Sequence, residues 1–516
     1  MIAPGASSRP PAASHIEAGA RELAERAFSR SAGAPLVAGN RVQLLKNAAE
    51  NYPAWLEAIA SARHRVHFEN YILADDEVGN RFADALAERA RAGVAVRLIY
   101  DWLGVVRKAS RRFWARLREA GVEVRCYNPP RPESPLGWVS RDHRKLLVVD
   151  GEVGFVSGLC VASMWTGDPA KGIAPWRDTG VEIRGPAVAD LERAFARMWA
   201  MLGAPIDDAP DAAPVIAPVG EVSVRIVASE PATSGTFRLD QLVVAFARRR
   251  VWLTDAYYLG APTYVQALIT SARDGVDVRM LFTRASDIPL LRIMSRTGYR
   301  ALLEAGVRIF EWNGSVLHAK TAVVDGRWAR VGSTNLNLAS WMGNCELDAV
   351  IEDEGFAGKM EAMYLEDLGN ATEVVLHGKR KLSQTTRPAG GPAHHPKGSA
   401  GRAATGAVRI GNVLGAALAN RRVIEPIETR LLLWTGLSAL ALAILFVAFP
   451  RAFAYPAGAI LAWLALALLY RGFLLRHRHR RERVNKAPAL VSAPAGDMKP
   501  AAPAASRNPE APPAAG

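Results

Sequence analysis

Along the chain the apolar positions change period repeatedly, and each change marks an element. Gly39 to Leu45 alternates as a short strand, whereas Tyr52 to Ala62 gathers Trp55, Ile59 and Ala62 on one side of a helix. Arg65 to Ile72 is a β-rich run, Asn80 to Ala92 is amphipathic at helical spacing, and Val94 to Tyr100 reads as a buried strand. A helix over Ala109 to Ala120 stops at Gly121 and leads into a strand over Val122 to Tyr127. Gly180 to Arg184 predicts another strand and Ala187 to Leu202 another helix. This alternation predicts an α/β body. Ahead of it, residues 1–14 read as a flexible lead, and Ile16 to Ser29 predicts a helix with Ala24, Ala27 and Phe28 on a weak apolar face.

The pattern then repeats. Ala90-Arg-Ala-Gly-Val-Ala-Val-Arg97 answers to Ala272-Arg-Asp-Gly-Val-Asp-Val-Arg279, and Leu117-Arg-Glu-Ala-Gly-Val-Glu-Val124 to Leu302-Leu-Glu-Ala-Gly-Val-Arg-Ile309. A loop of Asp, Ala and Pro from Ala204 to Pro218 marks the seam, so the body predicts a duplicated fold with repeats at 38–210 and 211–370. Between matched blocks the first repeat spends fifteen residues, Asn128 to Asp142, where the second spends five, Asn313 to Leu317. The extra Pro-rich stretch, Asn128 to Ser140, is expected near the mouth of any shared site, where it either contacts lipid tails or is a stiff surface loop.

Past the body the pattern changes class. Residues 371–430 form a basic linker, with His394 and His395 in a segment lacking apolar periodicity. Leu431 to Phe449 and Ala454 to Leu475 are then apolar runs, each long enough for a membrane helix at roughly 20 residues per span. The short loop between them predicts a transmembrane hairpin over 431–475; the alternative is a buried helix pair in a soluble domain. Arg421, Arg422 and Arg430 precede the runs, and Arg476, Arg478, Arg480, Arg481, Arg483 and Lys486 follow them, against Arg451 alone in the turn. Both flanks are therefore expected to be cytoplasmic, with an Ala/Pro-rich tail over 476–516.

Composition refines this picture only in part. There are 64 Lys and Arg against 50 Asp and Glu, a balance of +14, and much of the excess sits beside the apolar runs rather than in an aromatic stripe suited to nucleic acid. Cys126, Cys160 and Cys345 have no spacing that suggests a disulfide framework or a zinc knot. Residues 1–35 lack the basic start and apolar centre of a signal peptide.

The candidate chemistry lies in two near-copies set 175 residues apart, His143-Arg-Lys145-Leu-Leu-Val-Val-Asp150-Gly151 and His318-Ala-Lys320-Thr-Ala-Val-Val-Asp325-Gly326. In each, His and Lys are two positions apart on one side of an apolar strand, and both side chains point the same way. Two imidazoles and two ammoniums in one site favour a phosphoryl oxyanion. One His is expected to attack phosphorus and form a covalent phosphoryl-His. The other protonates the leaving alcohol and deprotonates the incoming one, while Lys145 and Lys320 hold the non-bridging oxygens. Asp150 and Asp325 either orient the imidazoles or pair with the lysines. Glu69, Asp178 and Glu346 are read either as packed acids beside Arg or Lys or as carboxylates that hold the catalytic groups.

These two blocks match the His-x-Lys-x-x-x-x-Asp signature of the phospholipase D superfamily. Together with Glu69-Asn-Tyr71, Trp176-Arg-Asp-Thr179, Val331-Gly-Ser-Thr-Asn-Leu-Asn337 and Glu346, they make residues 38–370 resemble the bacterial cardiolipin synthases. The resemblance implies a phospholipase D-like duplicated α/β/α sandwich and transfer of a phosphatidyl group. Phosphatidylglycerol would be the donor, glycerol would leave, and a second phosphatidylglycerol would accept, giving cardiolipin; phosphatidylethanolamine is an alternative donor or acceptor. It implies His143 as nucleophile, His318 as acid and base, and no metal or nucleotide cofactor. The partners are then anionic phospholipids and the bacterial inner membrane, with the body on the cytoplasmic side and no nucleic acid. The family's Gly-Gly/Ser-x-Asn element is complete at Gly332-Ser333-Thr334-Asn335, where Ser333 and Asn335 help orient the site. The first copy reads Ser157-Gly158-Leu159-Cys160, with a thiol where the amide is expected. Hydrolysis, with water as acceptor, is the rival reaction; a nuclease of the same superfamily and a non-enzymatic membrane scaffold are weaker rivals.

Overall fold

The computed structural model describes residues 23–130, 139–206, 216–376 and, apart from 439, 457, 460, 464, 467 and 468, residues 437–470. The α/β body lies within the first of two units, Met1–Val447 and Ala448–Gly516. Its first half carries β1 (Val37–Lys46), β2 (Arg65–Asn70), β3 (Ala95–Asp101), β4 (Glu123–Tyr127), β5 (Lys145–Val149), β6 (Val153–Ser157) and β7 (Thr179–Arg184). The second carries β8 (Val222–Ser229), β9 (Arg250–Asp255), β10 (Asp277–Thr283), β11 (Arg308–Trp312), β12 (Thr321–Val324), β13 (Trp328–Gly332), β14 (Glu346–Glu352) and β15 (Ala371–Val374).

These strands form one continuous sheet. From one edge the order is β4, β3, β2, β5, β6, β7, β1, and then β8, β14, β13, β12, β9, β10, β11, β15. Apart from the extra edge strand β15, the second series is the first in reverse, which is the sheet of a duplicated chain joined back to back. In each half three strands pair in parallel, β2 to β4 and β9 to β11, and the motif strands β5 and β12 run antiparallel beside them. The joint is the antiparallel pair β1 and β8, irregular between Val37 and Asn40. Asn40 closes that irregularity from a buried position, its amide donating to the Val37 and Val222 carbonyls and accepting from the Ala187 N–H.

Three apolar clusters follow. The helices Asn47–Ser61 and Glu77–Arg91 pack through Tyr52, Trp55, Phe82 and Leu86 on the outer face of the first half-sheet. Asp76 caps the second of these helices through the Gly79 N–H at 2.9 Å, and complete burial of Phe82 contributes about 2 kcal/mol. The helices Gly235–Phe246 and Pro262–Arg273 cover the second half-sheet in the same way. Between the halves, Phe195 and Met198 of helix Val188–Met201 share one core with Met360 and Tyr364 of helix Glu354–Gly369 and with residues of both half-sheets. Each half is thus a sheet between helical layers, as the alternation predicts. The amino-terminal helix, described over residues 23–32, is clamped by buried Arg225, which holds the Glu25 carboxylate with two bonds of 2.9 Å and also binds Ser29. The second repeat runs past the expected end at 370, because β15 pairs with β11.

The motif aspartates do something other than expected. Asp150 and Gly151, with φ of 55° and 74°, turn the hairpin between β5 and β6; Asp325 and Gly326, at 55° and 71°, do the same between β12 and β13. An Asp-Gly pair tolerates such left-handed backbone. The Asp150 carboxylate accepts the N–H groups of Arg63, His64 and Arg65 at 2.7 to 2.8 Å, and Asp325 accepts those of Arg248, Arg249 and Arg250 at 2.8 to 2.9 Å. Seven residues of extended chain put Asp150 roughly 20 Å from His143. Neither aspartate orients an imidazole or pairs with a motif lysine; each ties its hairpin to the start of the neighbouring strand.

The carboxy-terminal expectation is met only in composition. Among the described residues no single helix is long and apolar enough to cross a membrane; Leu440–Ala448 and Pro450–Trp463 pass that test only as a broken pair. The helix resumes at Pro450, where a loop was expected, since proline is well suited to the first turn of a helix. Residues 131–138 of the Pro-rich insertion, 377–430 of the linker, 431–436 and 471–475 of the apolar runs, and the tail over 476–516 lie outside the described residues.

Asp150→Ala and Asp325→Ala are each expected to lower unfolding stability by about 1 to 3 kcal/mol, read by denaturant titration, through loss of hydrogen bonds to a charged acceptor.

Candidate active site

Both motif histidines lie in short extended segments just ahead of β5 and β12, and each segment pairs with the opposite half. The His143 N–H donates to the Cys345 carbonyl at 2.9 Å and the Cys345 N–H to the Arg141 carbonyl at 2.8 Å. In the mirror arrangement, the His318 N–H donates to the Arg177 carbonyl at 2.7 Å and the Arg177 N–H to the Val316 carbonyl at 2.9 Å. The residues after Cys345 and Arg177 are Glu346 and Asp178, so the pairing delivers one carboxylate from each half to the histidine of the other.

His143 Nδ1 lies 2.9 Å from Glu346 Oε2 and 3.1 Å from the Ser333 carbonyl oxygen. Both partners are acceptors, so Nδ1 carries the proton and Nε2 keeps its lone pair. His318 Nδ1 lies 2.8 Å from Asp178 Oδ2. The two carboxylates are held differently. Glu346 accepts from Ser333 Oγ at 2.5 Å and from the Asn344 amide at 3.3 Å. Asp178 accepts from the Trp165 indole and from the Thr179 N–H, each at 2.9 Å. Gly158, the counterpart of Ser333, makes room for this, since a Cβ there would stand 2.2 Å from Asp178 Oδ1. The first half therefore uses an indole from its β6–β7 loop where the second uses a serine hydroxyl.

Lys145 and Lys320 are buried, and each Nζ donates to the carbonyl of its own motif histidine. Tyrosines stand beside them in matched positions. The Tyr71 ring meets His143 edge-on at 5.2 Å with Lys145 Nζ 5.3 Å from its centroid, and the Tyr257 ring meets His318 at 5.8 Å with Lys320 Nζ at 5.6 Å. Trp165 and Trp176 also pack on His318, at 5.3 and 5.6 Å.

Burial sets the charge states. It depresses Lys320 to about 8, helped by Lys145 and opposed by Asp178. His318 is lowered to about 4 by burial and by Lys320 and Lys145, against the pull of Asp178; His143 is lowered by burial and both lysines, against Glu346. Burial works to raise Asp178 and Glu346, but their imidazole partners and the nearby lysines outweigh it and keep both carboxyls below their ordinary range. Near neutral pH the site therefore pairs two neutral imidazoles with two carboxylates and keeps Lys320 cationic below about pH 8.

The chain belongs to the cardiolipin synthase family of phospholipase D-like proteins. A family profile described as cardiolipin synthase, PLD-like domain, matches residues 55–199 and 244–368. Cardiolipin synthase A of Pseudomonas aeruginosa is 35% identical over 368 residues, which span 69% of this chain and 73% of the relative. The cardiolipin synthase of Geobacillus kaustophilus is 32% identical over 345 residues, spanning 66% and 68%. The crystal structure of a phosphatidylserine synthase of Haemophilus influenzae shares the fold, with a TM-score of 0.53 at 15% identity over 68% of this chain and 92% of that one.

Within this family framework, the structure gathers His143, Lys145, His318, Lys320, Asp178, Glu346 and Ser333 at one place. Asn335 is buried beside it, its amide nitrogen 3.5 Å from Ser340 Oγ and its Oδ1 without a partner among the described residues. Cys160, in the matching position of the first half, is buried with its thiol raised by burial and lowered by Lys145. Glu69 does not reach an imidazole: it is fully buried 3.9 Å from Arg144, and burial raises its carboxyl despite that guanidinium. It is the packed acid beside an arginine, the other of the two readings its sequence context allowed. Sequence reasoning missed Tyr257 and Trp165. The tyrosine was hidden because Tyr71 follows its strand directly whereas Tyr257 stands two residues past β9; the tryptophan was hidden because the tryptophans of Ala162-Ser-Met-Trp165 and its counterpart Ala339-Ser-Trp341 differ by one position in their distance from the motif histidine.

Asp178→Asn and Glu346→Gln are each expected to slow turnover per folded molecule by roughly 10- to 100-fold with little change in unfolding midpoint, since each orients an imidazole. Tungstate, a phosphate mimic whose charge does not change in this range, is expected to bind more weakly as pH rises through about 8, because Lys320 is protonated below that point and neutral above it. Calorimetric titration at several pH values checks this, and a flat profile would remove Lys320 as the anion's cation.

Proposed function

We propose that the chain is a phosphatidyltransferase that makes cardiolipin from two molecules of phosphatidylglycerol through a covalent phosphatidyl-His intermediate. The observation that carries this reading is the crossed pairing, in which each motif imidazole is held through Nδ1 by a carboxylate of the other half and so offers Nε2 to one phosphodiester. His143 Nε2 attacks phosphorus and the bond from phosphorus to the glycerol oxygen breaks, with His318 giving that oxygen a proton. Burial and the two lysines keep His318 neutral; an anionic phosphodiester between Lys145 and Lys320 offsets the charges that depress it, and Asp178 then favours the imidazolium. Glycerol leaves. A hydroxyl of a second phosphatidylglycerol gives its proton to His318 and attacks phosphorus, the phosphorus–nitrogen bond breaks, and His143 returns to its starting state. Lys145 and Lys320 compensate the charge on the non-bridging oxygens through both steps. The nucleophile is assigned to His143 by family resemblance.

The relatives' name, cardiolipin synthase, supports this choice of product. On the same reading, the apolar runs flanked by arginines anchor the chain as a hairpin in the bacterial inner membrane, with the body on the cytoplasmic side. A tag after Lys486 is expected to report a cytoplasmic location, and a periplasmic one would overturn the hairpin.

The decisive assay gives the purified full chain labelled phosphatidylglycerol in mixed micelles. Labelled cardiolipin together with free glycerol is expected, and phosphatidic acid alone would show hydrolysis instead. His143→Ala and His318→Ala should each cost roughly 1,000-fold or more. Rapid quenching should trap labelled protein in the wild type but not in His143→Ala.

A further inference from the structure

The loops that follow β3 and β10 occupy equivalent places in the two halves, and both carry exposed apolar side chains. After β3, the Asp101 carboxylate caps a short helical turn, Trp102–Val105, by accepting the Leu103 and Gly104 N–H groups at 2.8 and 3.2 Å. Leu103 and Val106 are left exposed, Leu103 at 41%. After β10 comes the helix Pro289–Thr297, with Ile288 ahead of it and with Ile293 and Met294 exposed at 42% and 45%.

Both loops border the site. A Cβ on Gly104 would stand 1.9 Å from the Tyr71 carbonyl oxygen, so the first loop rests directly on the residue whose ring meets His143. The second loop is fastened to the matching residue: Tyr257, whose ring meets His318, donates its hydroxyl to Asp287 at 2.7 Å, and Ser295 Oγ donates to the Tyr258 carbonyl at 2.5 Å. The charge of Asp287 also acts on the Tyr71 phenol, so the two loops approach one another across the paired histidines.

Charge accompanies the apolar groups. Arg107, Lys108, Arg111 and Arg112 follow Val106 and are all exposed, and Arg284 and Arg292 flank Ile288. Among the described residues none of these six makes an ion pair with a carboxylate. Three neighbouring acids are engaged within the protein, Asp287 with Tyr257, Asp75 with Ser110 and Asn80, and Asp101 with Arg141. Apolar tips ringed by cations that no carboxylate pairs suit the boundary between acyl chains and anionic headgroups, whereas water alone would leave both unmatched.

We propose that the Leu103 and Val106 loop and the Ile288 to Met294 segment form a two-pronged docking surface that inserts into a bilayer bearing anionic phospholipid and straddles the site mouth. The inference rests on the proposed phosphatidyl transfer for its purpose but not for its detection. Each prong comes from one half of the duplicated chain, so both must enter the same leaflet for a headgroup to reach the two histidines together.

The test uses the full chain reconstituted in vesicles, with an environment-sensitive fluorophore on Val106→Cys, on Ile293→Cys, or on Glu152→Cys. Glu152 is exposed in the β5–β6 turn at the far end of the motif strand. In phosphatidylglycerol vesicles, labels at 106 and 293 are expected to shift to the blue and to be quenched by lipids brominated in the acyl chains, while the label at 152 is not. In vesicles of phosphatidylcholine alone the quenching is expected to fall at least threefold. Labels at 106 and 293 that behave like the one at 152 would overturn the proposal, and so would energy transfer between labelled copies without lipid quenching, which would mark the surface as a contact between two chains. For a functional reading, Val106→Asp combined with Ile293→Asp is expected to lose at least tenfold in rate on vesicle phosphatidylglycerol and less than twofold on a monodisperse short-chain analogue. Equal loss on both substrates would place these residues in folding or chemistry instead. If the wild type turns over neither substrate but labels 106 and 293 are still quenched, the transfer reading fails while the docking surface stands.

Discussion

His143 with Glu346 and His318 with Asp178 are hydrogen-bonding partners drawn from opposite halves, their carboxylates fully buried and the contacts set by two strand-like backbone pairings that cross the joint. Neither half can orient its own imidazole. A carboxylate withdrawn from water is costly unless it is paired and hydrogen-bonded, and here each has its partner only when both halves are folded and docked. The continuous sheet through β1 and β8, the shared core of Phe195, Met198, Met360 and Tyr364, and the Asn40 bridge at the joint all serve that condition.

The duplication is close in backbone and loose in chemistry. Strand order mirrors through the joint, and Tyr71 and Tyr257 stand in matched places beside their lysines. Around the carboxylates, however, the halves diverge: Ser333 supports Glu346, while Gly158 yields space and Trp165 supports Asp178. This difference gives the two imidazoles unlike surroundings, with three aromatic rings on His318 and one on His143. The asymmetry is confined to the loops around the site and leaves the mirrored sheet undisturbed.

The repeats, the alternating strands and helices and the two His-Lys pairs were legible because each depends on local spacing. Strand periodicity puts His143 and Lys145 on one side whatever lies around them. The roles of the acids were not legible in the same way. Asp150 and Asp325 belong to the repeated motif, yet an Asp-Gly turn at the far end of the strand places them on backbone N–H groups. Glu69 sits in an equally suggestive block but faces Arg144. Asp178 and Glu346, which carry no repeated signature and lie 35 and 28 residues after their own motif histidines, are the ones that reach an imidazole, and each reaches the other half's.

By itself, then, the sequence determined the duplication, the α/β class, the two His-Lys pairs and the family, since all of these are written in residue type and periodicity. Which acid serves which histidine, which serine, tryptophan and tyrosines surround them, and how far burial shifts Lys320 and His318 were decided only by tertiary structure. The physical reason is that hydrogen bonds and desolvation act through space, and in a chain folded about a pseudo-twofold joint the nearest groups in space come from the half that is remote in sequence.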